Sequence, residues 1–153
     1  MFCDLALTYD PESRRCDLTL GDDLDLVLDT TPVSAMLVSI GLDRRADVDD
    51  PLPEGRTQFL APVSFSERRG AIADAFEASG ALTGSKLWLL ERAKETETTR
   101  LLCEFWLEEA LSWAVEVTGQ PAEIEVEWLR PEVLGFRVLV EDTSLSMTKR
   151  VDG

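Results

Sequence analysis

The sequence predicts an α+β fold: an N-terminal antiparallel meander, central helices with one long amphipathic helix, and a C-terminal β-hairpin, in a single domain over residues 1–153. Three observations predict it. Apolar and polar residues alternate in the first thirty positions and again after residue 122. Between them, around residues 97–117, apolar residues return every three or four positions. The 153 residues, 44% hydrophobic and 29% charged, suit one packed core.

Leu5, Leu7 and Tyr9 alternate with Asp4, Ala6 and Thr8. Asp10-Pro11-Glu12-Ser13 is turn chemistry, because proline presets φ and the short polar side chains cap the bend. Leu18 and Leu20 alternate with Asp17 and Thr19, Gly21-Asp22-Asp23 turns, and Leu24, Leu26 and Leu28 alternate with Asp25 and Asp29. The result is a meander with one apolar face. Thr31-Pro32 then opens a helix whose stripe is Val33, Met36, Leu37 and Ile40, closed by Gly41.

Residues 43–66 have no period and are interrupted by Pro51, Pro53 and Pro62. A loop this long points to a binding role, with Phe59, Leu60, Val63 and Phe65 as its anchors. Short helices are expected over Arg68 to Phe76 and Lys86 to Lys94, the second facing inward through Leu87, Trp88 and Leu90. The long helix, Glu97 to Val117, carries Leu102, Phe105, Trp106, Ala110, Trp113 and Val117 on its apolar face. Glu104, Glu108, Ser112 and Glu116 form its polar stripe, and Thr118-Gly119-Gln120-Pro121 stops it.

In the hairpin, Ile124, Val126 and Trp128 alternate with Glu123, Glu125 and Glu127. Arg130-Pro131-Glu132 turns, and Leu134, Phe136, Val138 and Val140 alternate with Gly135, Arg137 and Glu141. Arg137 is expected opposite a glutamate of the first strand. Residues 142–153 read as a polar tail. The four tryptophans sit in periodic apolar patterns, which places them in the core.

Composition narrows the function. The net charge is −15, from 30 acidic and 15 basic residues, and the basic residues cluster no further than pairs. Binding to nucleic acid needs cations that displace counterions from phosphates, so no nucleic-acid partner is expected. No apolar run reaches the length of a membrane span, and the first residues lack a secretory signal, so no membrane is expected either. Cys3, Cys16 and Cys103 are an odd set without CxxC spacing, and Cys103 reads as a small core residue. There is no histidine, which removes the commonest general base and metal ligand together. The glutamates follow solvated faces rather than an apolar pocket that would tune a catalytic pair. Asp22, Asp23 and Asp25, and Asp47, Asp49 and Asp50, lack the ligand series of a calcium loop. No glycine loop cradles phosphate. The expectation is a non-enzyme without cofactor or metal.

Several segments together resemble a known family: Asp4-Leu5-Ala6-Leu7, Asp29-Thr30-Thr31-Pro32, Gly41-Leu42-Asp43-Arg44-Arg45-Ala46, Asp49-Asp50-Pro51-Leu52-Pro53 and Arg69-Gly70. The most specific is Gly84-Ser85-Lys86-Leu87-Trp88-Leu89-Leu90-Glu91-Arg92-Ala93-Lys94. In this order, over residues 4–141, they resemble the Mu-like phage baseplate proteins, related to the lysozyme-like wedge and sheath-initiator proteins of contractile tails. That resemblance implies an α+β subunit present in several copies around the tail axis. It implies contacts to larger wedge proteins, to the tail sheath protein and to the central spike or hub, with assembly in the bacterial host cytoplasm. Relatives carry a Glu-Pro-Arg motif before the hairpin. Here the region reads Gly119-Gln120-Pro121-Ala122-Glu123, and no residue is carried over for that contact.

Two interface sites are expected. Arg44 and Arg45 open the irregular loop and would meet an acidic or carbonyl-rich neighbour, or serve the chain's own surface. The strand from Leu134 to Glu141, with Leu134, Phe136, Arg137, Val138, Leu139 and Val140, would supply or adjoin an edge to which a sheath strand adds. The competing functions are a small acidic adaptor or inhibitor outside a tail and a carboxylate-dependent hydrolase.

Overall fold

A computed structural model of the chain describes residues 2–53, 65–78 and 80–151. Its strands and helices form an α+β architecture in which all paired strands are antiparallel. Phe59, Leu60 and Val63, three of the expected loop anchors, lie outside the described residues.

The N-terminal strands form three short ladders rather than a simple meander. β1 (Asp4–Leu5) pairs with β4 (Leu28–Asp29), and β2 (Leu7–Asp10) pairs with β3 (Arg15–Leu18). A third ladder is the bridge between Leu20 and Leu26. The three meet where Ala6 N–H donates to the Val27 carbonyl (2.9 Å) and Val27 N–H to the Thr19 carbonyl (3.0 Å). Each tight turn closes its own ladder, so the strands do not run side by side in succession. At the first turn Asp10 accepts from the Glu12 N–H and the Ser13 hydroxyl. Those donors hold its carboxyl below the usual range, the Ser13 hydroxyl most of all. The base of this arm is tied down by Phe2, whose ring packs edge-on against Trp113 at 5.7 Å.

Next comes α1 (Val33–Gly41), which buries Met36 and Ile40 and leaves Leu37 outside. The short helices expected at 68–76 and 86–94 contract to single 3₁₀ turns at Phe65–Arg68, Ile72–Phe76 and Leu87–Leu90. Arg69, at φ +50, turns the chain left-handed between the first two and prevents one continuous helix. The Leu87–Leu90 turn has all four side chains buried, so it fills the core on every side.

The long helix is two helices, α2 (Glu97–Ala110) and α3 (Trp113–Thr118). Thr96 caps the first by accepting from Thr99 N–H, and Gly119 ends the second. The buried face differs from the expected one. Thr99, Cys103, Trp106, Leu107 and Ala110 face inward, while Leu102, Phe105 and Val117 are exposed. Two apolar stripes compete on this helix, and only the position of the sheet decides between them.

The C-terminal sheet has three strands, β5 (Glu123–Arg130), β6 (Val133–Val140) and β7 (Thr143–Arg150), in the order β5-β6-β7. This corrects one expectation and narrows another. Residues 143–150 of the supposed polar tail form a strand paired with β6 along its whole length. The strand expected to supply or adjoin an edge, β6, is therefore central and adjoins the edge strand β7. Leu134, Phe136, Val138 and Val140 are buried on its inner face with Val126, Leu145 and Met147, against α2 and the Leu87–Leu90 turn.

Candidate assembly surfaces

Four of the six segments that carry the family resemblance, Gly41–Ala46, Asp49–Pro53, Arg69-Gly70 and Gly84–Lys94, converge on one cluster around Trp88. Gly84 comes so close to the chain at Leu42–Arg44 that Ser85 N–H donates to the Leu42 carbonyl (2.9 Å) and Arg44 N–H to the Ser85 carbonyl (2.9 Å). The Ser85 hydroxyl donates to the Ile40 carbonyl at 2.8 Å. The Trp88 indole N–H donates to the Arg44 carbonyl at 2.8 Å, and the Arg69 guanidinium stacks 4.5 Å from the Trp88 ring centre. Arg69 also forks onto both Glu91 oxygens (3.0 and 2.9 Å) and reaches Asp43 at 2.8 Å.

Lys86 is buried, with its ammonium 2.5 Å from Asp47 and 2.9 Å from Asp50. Burial pulls its pKa down, but the two carboxylates more than offset this and leave it above the ordinary lysine value. Asp47 is held below the usual carboxylate range, chiefly by its hydrogen bond from Lys86. Two of the aspartates weighed as cation ligands are thus ion-paired within the chain. Ser85, Lys86, Arg69 and the Trp88 indole find their polar partners within the chain, as groups withdrawn from water do.

Arg44 and Arg45, expected either to meet a neighbour or to serve the chain's own surface, lie against their own chain. The Arg44 guanidinium is mostly buried, and its Nη1 is 3.8 Å from Glu109 Oε2. Arg44 Nε and Glu109 Oε2 are both buried without a hydrogen-bond partner among the described residues. Arg45 Nη1 donates to the Arg69 carbonyl at 3.2 Å.

The two edges of the C-terminal sheet differ. A two-residue turn joins Val140 to Thr143, so that pair exchanges hydrogen bonds and the pattern alternates from there. On β7 the main-chain groups of Ser144, Ser146 and Thr148 therefore point away from β6. Among the described residues they meet no backbone partner. On β5 the same alternation turns the Val126 carbonyl outward, where Arg100 of α2 donates to it at 3.3 Å. Arg100 is itself held by Glu97 (2.7 Å) and Glu104 (2.8 Å), so α2 holds this edge at the Val126 carbonyl. The sheet's outer face is wet. It presents Glu125 opposite Arg137, 3.9 Å apart and both exposed, with Leu139 half-buried beside them.

An open groove of about 880 Å³ runs beside β5, with Arg100, Glu104, Glu125, Leu129, Arg137 and Met147 among its walls. Two of its carboxylates face guanidinium groups, Glu104 toward Arg100 and Glu125 toward Arg137.

The family model described as "Phage protein GP46" matches residues 32–147. The "Baseplate protein gp46" of Escherichia phage Mu is 32% identical over 123 residues, covering 80% of this chain and 74% of that protein. The "Mu-like prophage FluMu protein gp46" of Haemophilus influenzae is 30% identical over 139 residues, covering 90% of this chain and 85% of that protein. No solved structure matches the chain.

Proposed function

The chain belongs to the GP46 family of phage baseplate proteins, and from that membership we infer that it links larger wedge proteins to the first sheath subunits of a contractile tail. The observation that carries this reading is the asymmetry of the C-terminal sheet: α2 holds the β5 edge at the Val126 carbonyl, while the outward main-chain groups of Ser144, Ser146 and Thr148 on β7 meet no backbone partner among the described residues. An open edge is a template for another chain's strand, with main-chain bonds giving affinity and alternate side chains giving specificity. The sheath strand adds to β7, and Arg137 and Leu139 flank the site on the adjoining strand. Several copies around the tail axis then present several such edges. Assembly takes place in the host cytoplasm.

The same reading makes the protein non-catalytic. A hydrolase of two carboxylates needs one with a raised pKa in an apolar pocket. Glu104 and Glu125 instead face arginines in an open groove. Peptidoglycan hydrolysis by the purified protein, lost on replacing one of these glutamates, would overturn this part.

Ser146→Pro tests the edge. The substitution removes one outward N–H and no ladder bond to β6. The isolated variant is expected to melt near the parent temperature, while tails carrying it fail to acquire sheath. Leu145→Pro, whose N–H points toward β6, is expected to destabilise the isolated protein. Normal sheath on tails carrying Ser146→Pro would refute the assignment of the edge.

A further inference from the structure

The N-terminal arm exposes an apolar face that no described residue covers. Leu5 and Leu7 are two apart on one extended segment, as are Leu18 and Leu20, and Leu26 and Leu28. The ladders then pair Leu7 with Leu18, Leu20 with Leu26, and Leu28 with Leu5. Residues two apart on a strand, and residues directly opposite across a ladder, share a face. The six leucines therefore close a ring on one face around the junction of Ala6, Thr19 and Val27. Tyr9 and Cys16, directly opposite each other, extend it. The leucines are 37–67% exposed, although burying a leucine is worth roughly 1.5–3 kcal/mol. The reverse face carries Asp17 and the hydrogen-bonded hydroxyls of Thr8 and Thr19 (2.8 Å).

We propose that this leucine face docks a different protein of the baseplate, one that presents an apolar patch bordered by lysine and arginine. The charge of the arm selects that occupant. Residues 2–29 hold eight carboxylates and two arginines, a net charge of −6, with Asp22, Asp23 and Asp25 at one tip. A second copy would bring the same −6 to the contact, and −15 over the whole chain. Anionic lipid and DNA are repelled in the same way. A basic rim around an apolar centre satisfies both parts of the surface, since complementary charge steers association and apolar area stabilises it. The arm precedes residues 32–147, which the family model matches, and it is separate from the β7 edge.

The test places a photo-crosslinking amino acid at Leu7 in tails assembled in the host, with Asp17 on the reverse face as the control position. The expected product is a covalent link from position 7 to another baseplate chain, in a peptide rich in apolar and basic residues, at least tenfold above the yield from position 17. A link to a second copy of this chain, or equal yields at the two positions, overturns the proposal. The double variant Leu7→Ser/Leu20→Ser is expected to keep the melting temperature of the core and to enter tails at least tenfold less. Full incorporation overturns it. Asp22→Lys/Asp23→Lys leaves every leucine in place and is expected to reduce incorporation at least threefold, and no reduction counts against the charge argument. Tails carrying Ser146→Pro keep the position-7 link, so the sheath assignment and this proposal fail separately.

Discussion

Gly84→Ala should be the most damaging single methyl group in this protein. Gly84 has φ +95, where an L side chain costs about 1–3 kcal/mol. The added Cβ would also press on the Leu42 carbonyl oxygen, and would lie 2.8 Å from the Leu42 carbonyl carbon and 3.0 Å from the Arg44 nitrogen. These are backbone atoms and cannot rotate aside. Relief requires the two segments to part, which loosens the bonds from Ser85 N–H to Leu42 and from Arg44 N–H to Ser85, worth about 0.5–1.5 kcal/mol each. The expected loss is about 2–6 kcal/mol, a large share of a typical domain stability of roughly 5–15 kcal/mol. Gly119→Ala is the control. Gly119 has φ +79 but no atom within 4 Å of the new methyl, so about 1 kcal/mol is expected. Urea unfolding followed by tryptophan fluorescence measures both, because Trp88 and Trp106 are buried. If Gly84→Ala costs no more than Gly119→Ala, the close approach of these segments is not what stabilises the cluster.

Three further outcomes are expected. Asp47 has a folded pKa below its ordinary 3.8, so its contribution is present above that value and is lost as pH falls through the folded pKa. Lys86 is raised above 10.5, so its contribution is present below 10.5 and is lost as pH rises through the folded pKa. Lys86→Met should therefore flatten both limbs of the stability–pH curve, and an unchanged acid limb would contradict the pairing. Arg44→Ala should destabilise the isolated protein by about 1–2 kcal/mol, less than a fully buried pair because Glu109 is partly exposed. Unchanged stability with failed entry into tails would instead return Arg44 to an interface role. A thiol reagent should modify Cys3 and Cys16 quickly in the native protein. Cys103, fully buried with its thiol pushed up to about 12 by burial, should react only on unfolding, and three fast thiols would refute its placement.

The fold class was legible because period-two alternation survives wherever one face of a strand is buried, as at Ile124–Trp128 and Leu134–Val140. β7 was not legible. Its inner face offers only Leu145 and Met147 between Thr143 and Lys149, and its outer face is Ser144, Ser146 and Thr148, which reads as a tail. Without β7, β6 reads as a strand at or beside the edge, and four core side chains look like an interface. The arginine pair left two readings open in the sequence. Adjacent charges suggest a surface, but Trp88, Glu109 and the Arg69 carbonyl draw Arg44 and Arg45 onto their own chain, and those partners are 24 to 65 positions away. The apolar face of the first thirty residues was legible as a pattern. Its closure into a ring was not, because the pairing of Leu28 with Leu5 is a long-range choice.

The positions of these features bear on what family membership establishes. Four of the segments that carry the resemblance, Gly41–Ala46, Asp49–Pro53, Arg69-Gly70 and Gly84–Lys94, build the Trp88 cluster, where Gly84, Ser85, Lys86, Trp88 and Arg69 are tied to one another's backbones and charges. That is a signature of folding. A glycine at a backbone crossing, a buried ammonium between two carboxylates and an indole capped by a guanidinium each tolerate few replacements. The exposed surfaces obey a looser requirement. An edge strand needs free main-chain groups and almost any polar outer face, and a docking face needs leucine-sized bulk and charge of one sign. The β7 edge therefore left a weak mark in the sequence, and the leucine ring left only an alternation, although both are surfaces through which a baseplate subunit would meet its neighbours.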